Sequence, residues 1–129
     1  MNPRFVLLLT QDPGLHILLK QALEPDDATI LISRNAGEAL QIVCDHGKEL
    51  DLAVIDFAGG CHGMTLLSAV QICQPALPVM VITSSNAYHA AAIAYANGVE
   101  ACLAKPVTAK ELEIVINELA KPKLQLEAA

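Results

Sequence analysis

The sequence contains no tryptophan, and only two tyrosines and two phenylalanines among its 129 residues. That scarcity weighs against a flavin or any other cofactor held by aromatic stacking. Charge is also sparse, at 17% against 53% hydrophobic residues, so intrinsic disorder is excluded and there is apolar surface enough for a buried core. Positive charge is the scarcer sign. Eight Lys and Arg face fourteen Asp and Glu, for a net charge of −6, which argues against a free-standing nucleic-acid binder and against an anionic-membrane surface. No apolar run approaches the roughly 18–20 residues of a membrane span. The short run after Met1-Asn2-Pro3-Arg4 reaches Asp12-Pro13 without a small-residue cleavage site and does not read as a signal peptide. The expected compartment is the cytoplasm. Cys44, Cys61, Cys73 and Cys102 make no C-x-x-C pair and read as free thiols of a reducing compartment. Cys61-His62, with His16, His46 and His89 elsewhere, lacks zinc-ligand spacing, and no lysine-serine signature follows Gly59, Gly60 and Gly63 to make a nucleotide loop.

What is present is a repeating alternation. Phe5–Leu9 is a continuous apolar run suited to a strand buried on both faces. Behind Pro13, a favoured first-turn residue, Leu15, Leu18, Leu19, Ala22 and Leu23 recur at helical spacing until Glu24-Pro25 breaks the pattern. Strand-like runs follow at 29–33, at 52–55 ending at Asp56, at 79–82 ending at Thr83, and at 101–104. Helical patterns are expected at 36–46, 64–73 and 87–97, the last closed by Gly98, and in a final helix to about Ala120. Thr108 and Glu111 have the spacing of a capping box for that final helix. Strands alternating with helices predict an α/β domain with a parallel sheet covered on both faces, whose ligands bind at the carboxyl ends of the strands. That rule singles out Thr10, Gln11, Asp12, Asp56, Thr83, Ser84 and Lys105. One domain is expected over residues 1–120, with 121–129 a tail or the stub of a linker.

Asp56 ends the third strand, Thr83 the fourth and Lys105-Pro106 the fifth. Glu38-Ala39-Leu40, Leu77-Pro78 and Asn97-Gly98-Val99 stand at supporting positions. In this pattern, over residues 4 to 120, the chain resembles the receiver domain of two-component response regulators. The resemblance implies a flavodoxin-like (βα)5 doubly wound sheet of five parallel strands in order 2-1-3-4-5. It implies a signalling domain, not an enzyme in the ordinary sense, which takes a phosphoryl group on Asp56 from a sensor histidine kinase or phosphotransfer protein. Lys105 would then pair with the phosphoryl oxygens and Thr83 would turn its hydroxyl towards them. Mg²⁺ would be held by Asp56, the Ala58 backbone and acids at the end of the first strand. Partners would be the phosphodonor and a downstream effector or second copy of the domain, with no direct nucleic-acid or membrane contact.

The chain departs from that pattern where the metal should sit. The register set by Pro13 and Leu15 puts Thr10 and Gln11 where the family has paired acids, with Asp12 one place later. A one-residue slip would bring Asp12 into the pocket but spoil that register. A hydroxyl and a carboxamide in place of carboxylates predict weak Mg²⁺ affinity, with Gln11 and Asp12 as weak ligands at most, and an Asp56–Lys105 pair in the metal's absence. Cys102 replaces the family's usual aromatic switch residue, and the loop 57–63 is one residue short and lacks a proline. Tyr88, Ala91, Ala92 and Tyr95 could serve a partner face or simply cover the sheet. A pseudo-receiver, a protein-binding module that does not cycle phosphate, is therefore the competing reading. A small flavodoxin-like enzyme or cofactor carrier is the distant third.

Overall fold

The computed structural model describes residues 4–58, 62–84 and 88–119. Gly59, Gly60, Cys61, Ser85, the 121–129 segment and the side chain of Tyr88 lie outside the described residues.

Five strands, β1 (Phe5–Leu9), β2 (Thr29–Ser33), β3 (Leu52–Asp56), β4 (Val79–Thr83) and β5 (Ala101–Ala104), form one parallel sheet in the order 2-1-3-4-5. The helices α1 (Pro13–Leu23), α2 (Ala36–His46), α3 (Gly63–Cys73), α4 (Tyr88–Ala96) and α5 (Ala109–Leu119) connect them. Alternation along each strand sorts the core into two layers. Leu7, Leu9, Ile55 and Val81 meet Ala39, Val43, Leu66, Leu67 and Val70 from α2 and α3. Val6, Leu8, Val54, Met80 and Ile82 meet Leu15, Leu19, Leu112 and Ile116 from α1 and α5. Each fully buried aliphatic side chain contributes about 1.5–3 kcal/mol relative to exposure, so the middle of the sheet is insensitive to what its polar ends carry.

The helix starts follow the local chemistry. Asp12 caps α1, its Oδ1 accepting from Gly14 N at 2.9 Å, with Pro13 in the first turn. Thr108 and Glu111 form the expected reciprocal box on α5: Glu111 N donates to Thr108 Oγ1 at 3.1 Å, and Thr108 N to Glu111 Oε1 at 3.0 Å. After α1 the chain tightens into a 3-10 turn over Glu24–Asp26 instead of stopping outright. Gly98 adopts φ +87, a left-handed conformation that favours glycine at a helix end. Gly63 opens α3 against the end of β3; a Cβ there would come within 2.7 Å of the Phe57 ring and 2.9 Å of Ile55. On α4, Ala94 is buried against the sheet. Tyr95 is largely exposed, but its hydroxyl accepts from Cys102 N at 3.1 Å, capping an amide of the edge strand β5. No helix among the described residues is long and apolar enough to cross a membrane.

Candidate functional site

The polar groups collect at the carboxyl ends of the strands. In a sheet this apolar, the buried polar side chains among the described residues are Thr10, Ser33, Asp56 and Thr83, every one the last residue of a strand or the one just after it. Register does the positioning. Leu9 pairs with Ile55, so Thr10 arrives beside Asp56. Asp56 pairs with Ile82 and Thr83 with Ala104, so Thr83 and Lys105 follow on the other side. Lys105 is further tied by its backbone N–H donating to Thr83 O at 2.8 Å, and the Lys105–Pro106 peptide is cis.

Asp56 is 1% exposed, and its carboxylate is held from three directions. Ala58 N donates to Oδ1 at 2.9 Å. Thr10 Oγ1 donates to Oδ2 at 2.6 Å, and Lys105 Nζ donates to the same Oδ2 at 3.1 Å. Lys105 Nζ also lies 3.1 Å from Asp12 Oδ2, and Asp12 N donates back to Thr10 Oγ1 at 3.0 Å. The result is a closed circuit through Asp12, Thr10, Asp56 and Lys105. Burial, the strongest single influence on Lys105, pushes its pKa down, but hydrogen bonds and charge from Asp12 and Asp56 outweigh it and hold the ammonium above its ordinary value. The Lys105 hydrogen bond and then the Gly14 amide hold the Asp12 carboxyl below the usual aspartate range.

Asp56, Lys105 and the Ala58 amide, all named from sequence, are thus brought together, and the expected Asp56–Lys105 pair is present. Asp12 joins them without a register slip, because its side chain reaches Lys105 while still capping α1. Gln11 does not join: it is exposed and its Nε2 donates to Arg34 O at 3.2 Å, on the far side of β1. Thr83 is buried at the site, on the strand next to that of Cys102, whose thiol is pushed up by burial and drawn part of the way back by the nearby Thr83 hydroxyl. Sequence reasoning treated Thr10 as a missing ligand. A serine or threonine beside a buried carboxylate is also a donor, and that signal was available. Ser33, whose hydroxyl donates to Leu8 O at 3.2 Å, passed unnoticed.

An open, doubly wound α/β domain with a buried strand-end carboxylate held by a lysine across the sheet defines a class of phosphoacceptor-like signalling modules. Residues 6–117 match the response regulator receiver domain family, and the chain belongs to it. It is 29% identical over 118 residues to the transcriptional regulatory protein GlrR of Escherichia coli; the match takes in 91% of this chain but only 26% of that regulator's length. A response regulator receiver domain protein from Clostridium thermocellum is similar at 25% identity and TM-score 0.82, covering 95% of this chain and 98% of that one. NtrX of Brucella abortus has the same fold at 22% identity and TM-score 0.84, covering 98% of this chain and 28% of that one.

Receiver domains hold Mg²⁺ at an acidic pocket, and the donor set here does not fit that ion. Mg²⁺ takes hard oxygens in near-octahedral array at about 2.0–2.1 Å. Thr10 presents a hydroxyl already donated to Asp56, Gln11 is turned to Arg34, and the facing oxygens of Asp12 and Asp56 both accept from Lys105. Among the described residues no three of His, Cys, Asp or Glu converge as a metal centre would require.

Proposed function

We propose that this receiver domain accepts a phosphoryl group on Asp56 from a histidine kinase or phosphotransfer protein and signals by the rearrangement that follows. The observation that carries this reading is Asp56 itself, a buried carboxylate at the end of the central strand with the Lys105 ammonium 3.1 Å from its Oδ2. In the transfer an Asp56 oxygen attacks phosphorus, a P–O bond forms as the P–N bond of the donor breaks, and the imidazole departs with its electron pair. Lys105, partly exposed at the rim, swings from the carboxylates to the phosphoryl oxygens. Thr83 turns its hydroxyl to the phosphate, and the incoming charge of nearly two units reorders the neighbouring loops. No step is routed through Mg²⁺. A groove of about 510 Å³ between α1 and the turn after β5, lined by Leu15, Ile17, Leu18, Pro106 and Val107 with Asp12 and Lys105 alongside, suits the phosphodonor. A downstream effector or second copy would read the change, in the cytoplasm, with residues 1–120 acting as the signalling unit and 121–129 as tail or linker.

The test is intact-mass spectrometry after incubation with a small acyl phosphate donor, with and without Mg²⁺. The expected result is one base-labile phosphate that is absent from Asp56→Asn. No adduct at saturating donor overturns the phosphoacceptor reading in favour of a pseudo-receiver that binds partners without cycling phosphate.

A further inference from the structure

We propose that the Lys105 ammonium is the resident cation of this pocket, and that the site as built takes no Mg²⁺ at millimolar concentration. The inference deepens the phosphoacceptor reading, on which its meaning for transfer rests, but its test needs no phosphate.

The circuit around Asp56 already contains a cation. Lys105 Nζ bridges Asp12 Oδ2 and Asp56 Oδ2 at 3.1 Å each, the arrangement a bridging cation between two carboxylates would adopt. A metal binding the same oxygens would have to displace the ammonium or sit beside it, and like charges at such range repel strongly in a partly buried site. Asp12 and Asp56 against Lys105 leave the pocket a single net negative charge, whereas acids at positions 10 and 11 would make it three. Thr10 adds a second obstacle. Its hydroxyl hydrogen points at Asp56 Oδ2 and its oxygen accepts from Asp12 N, so turning a lone pair towards a metal breaks both bonds. The surroundings of Asp12 on the other side of β1 bring His16 and Arg34, not further carboxylates, to the groove that Thr10 and Gln11 border.

The chain has no tryptophan to report metal binding, so the readouts are calorimetric Mg²⁺ titration and Mn²⁺ broadening of backbone amides near residues 10–12 and 56–58. Wild type is expected to show no saturable binding up to about 10 mM, the ion's reluctance to dehydrate being unopposed by spare carboxylate. Lys105→Met leaves Asp12 and Asp56 without their counter-ion, and saturable binding should appear, tightened roughly tenfold or more. Saturation of wild type in that range overturns the proposal, as does a Lys105→Met protein that is as indifferent to metal as wild type. Should Lys105→Met fail to fold, Thr10→Asp carries the same reading. It exchanges a donor for an acid while keeping Lys105, metal binding is expected to appear, and continued indifference overturns the proposal. Absence of a phosphate adduct on Asp56 would leave each of these outcomes standing, so the two readings fail separately.

Discussion

The pocket has two walls. On one, β3, β4 and the turn after β5 present Asp56, Thr83 and Lys105, the set that the resemblance to receiver domains singles out in the sequence. On the other, the end of β1 leads into Thr10, Gln11 and Asp12, the first two standing where the resemblance leads one to expect paired acids. Both walls rest on the same apolar sheet and share its register, so the difference between them is chemical, not architectural. An aspartate at position 10 would set a second negative charge beside Asp56 and would need a cation to hold it there. The threonine hydroxyl carries a hydrogen instead of a charge, and the interaction with Asp56 becomes a 2.6 Å hydrogen bond. The β1 wall thus anchors Asp56 through the Thr10 hydroxyl, with the Lys105 ammonium beside it as counter-charge.

The largest effect that can break this comparison is loss of the Thr10 hydroxyl. Thr10→Val keeps the shape but deprives Asp56 Oδ2 of a donor and Asp12 N of an acceptor. A cost of about 2 kcal/mol is expected, since hydrogen bonds to charged groups contribute roughly 1.5–3 kcal/mol and the second bond lost is weaker. Thr83→Val removes a buried hydroxyl that holds no carboxylate among the described residues, and should cost about 1 kcal/mol or less. Urea denaturation with unchanged m-values measures both. Equal losses would mean that the β1 hydroxyl anchors nothing special and that the two walls differ in name only.

The apolar parts of the molecule were legible because they obey simple periods. All five strands and five helices lie where the runs and stripes put them, and the Thr108/Glu111 box and the Gly98 helix end came from local rules alone. The site was legible as far as strand ends go, since the carboxyl-end rule needs only the strand boundaries. Side-chain direction was not. Gln11 and Asp12 are neighbours in sequence, yet one turns to Arg34 and the other to Lys105, a choice set by the α1 cap that Asp12 must form. The Thr10–Asp56 hydrogen bond was equally hidden, because cross-strand partners depend on register that a single sequence does not display.

Asp12 offers the next, smaller test, because its two oxygens do different jobs. Oδ1 caps α1 and Oδ2 holds Lys105. Asp12→Ala loses both and should cost about 1 kcal/mol, mostly the cap. Asp12→Asn keeps a good cap and loses only an ion pair whose aspartate is 44% exposed, so its cost should stay well below that of the alanine variant. Equal costs would show that the ion pair, not the cap, is what Asp12 contributes to the β1 wall.

The smallest effect is the pH dependence of that ion pair, isolated as the stability difference between wild type and Asp12→Asn. Asp12 has its folded pKa depressed, first by the Lys105 hydrogen bond and then by the Gly14 amide. Its contribution is therefore complete above the unfolded value of about 3.9 and is lost as pH falls through the lower folded value. Lys105 has its folded pKa raised, the two carboxylates outweighing the opposing effect of burial. Its contribution is complete below about 10.4 and is lost as pH rises through the higher folded value. The wild-type advantage should thus be flat across neutral pH and shrink at both ends. Denaturant midpoints taken along that range check it. An advantage that instead changes near neutrality would mean that another titrating group governs Lys105, and the two carboxylates would no longer account for the charge balance of the pocket.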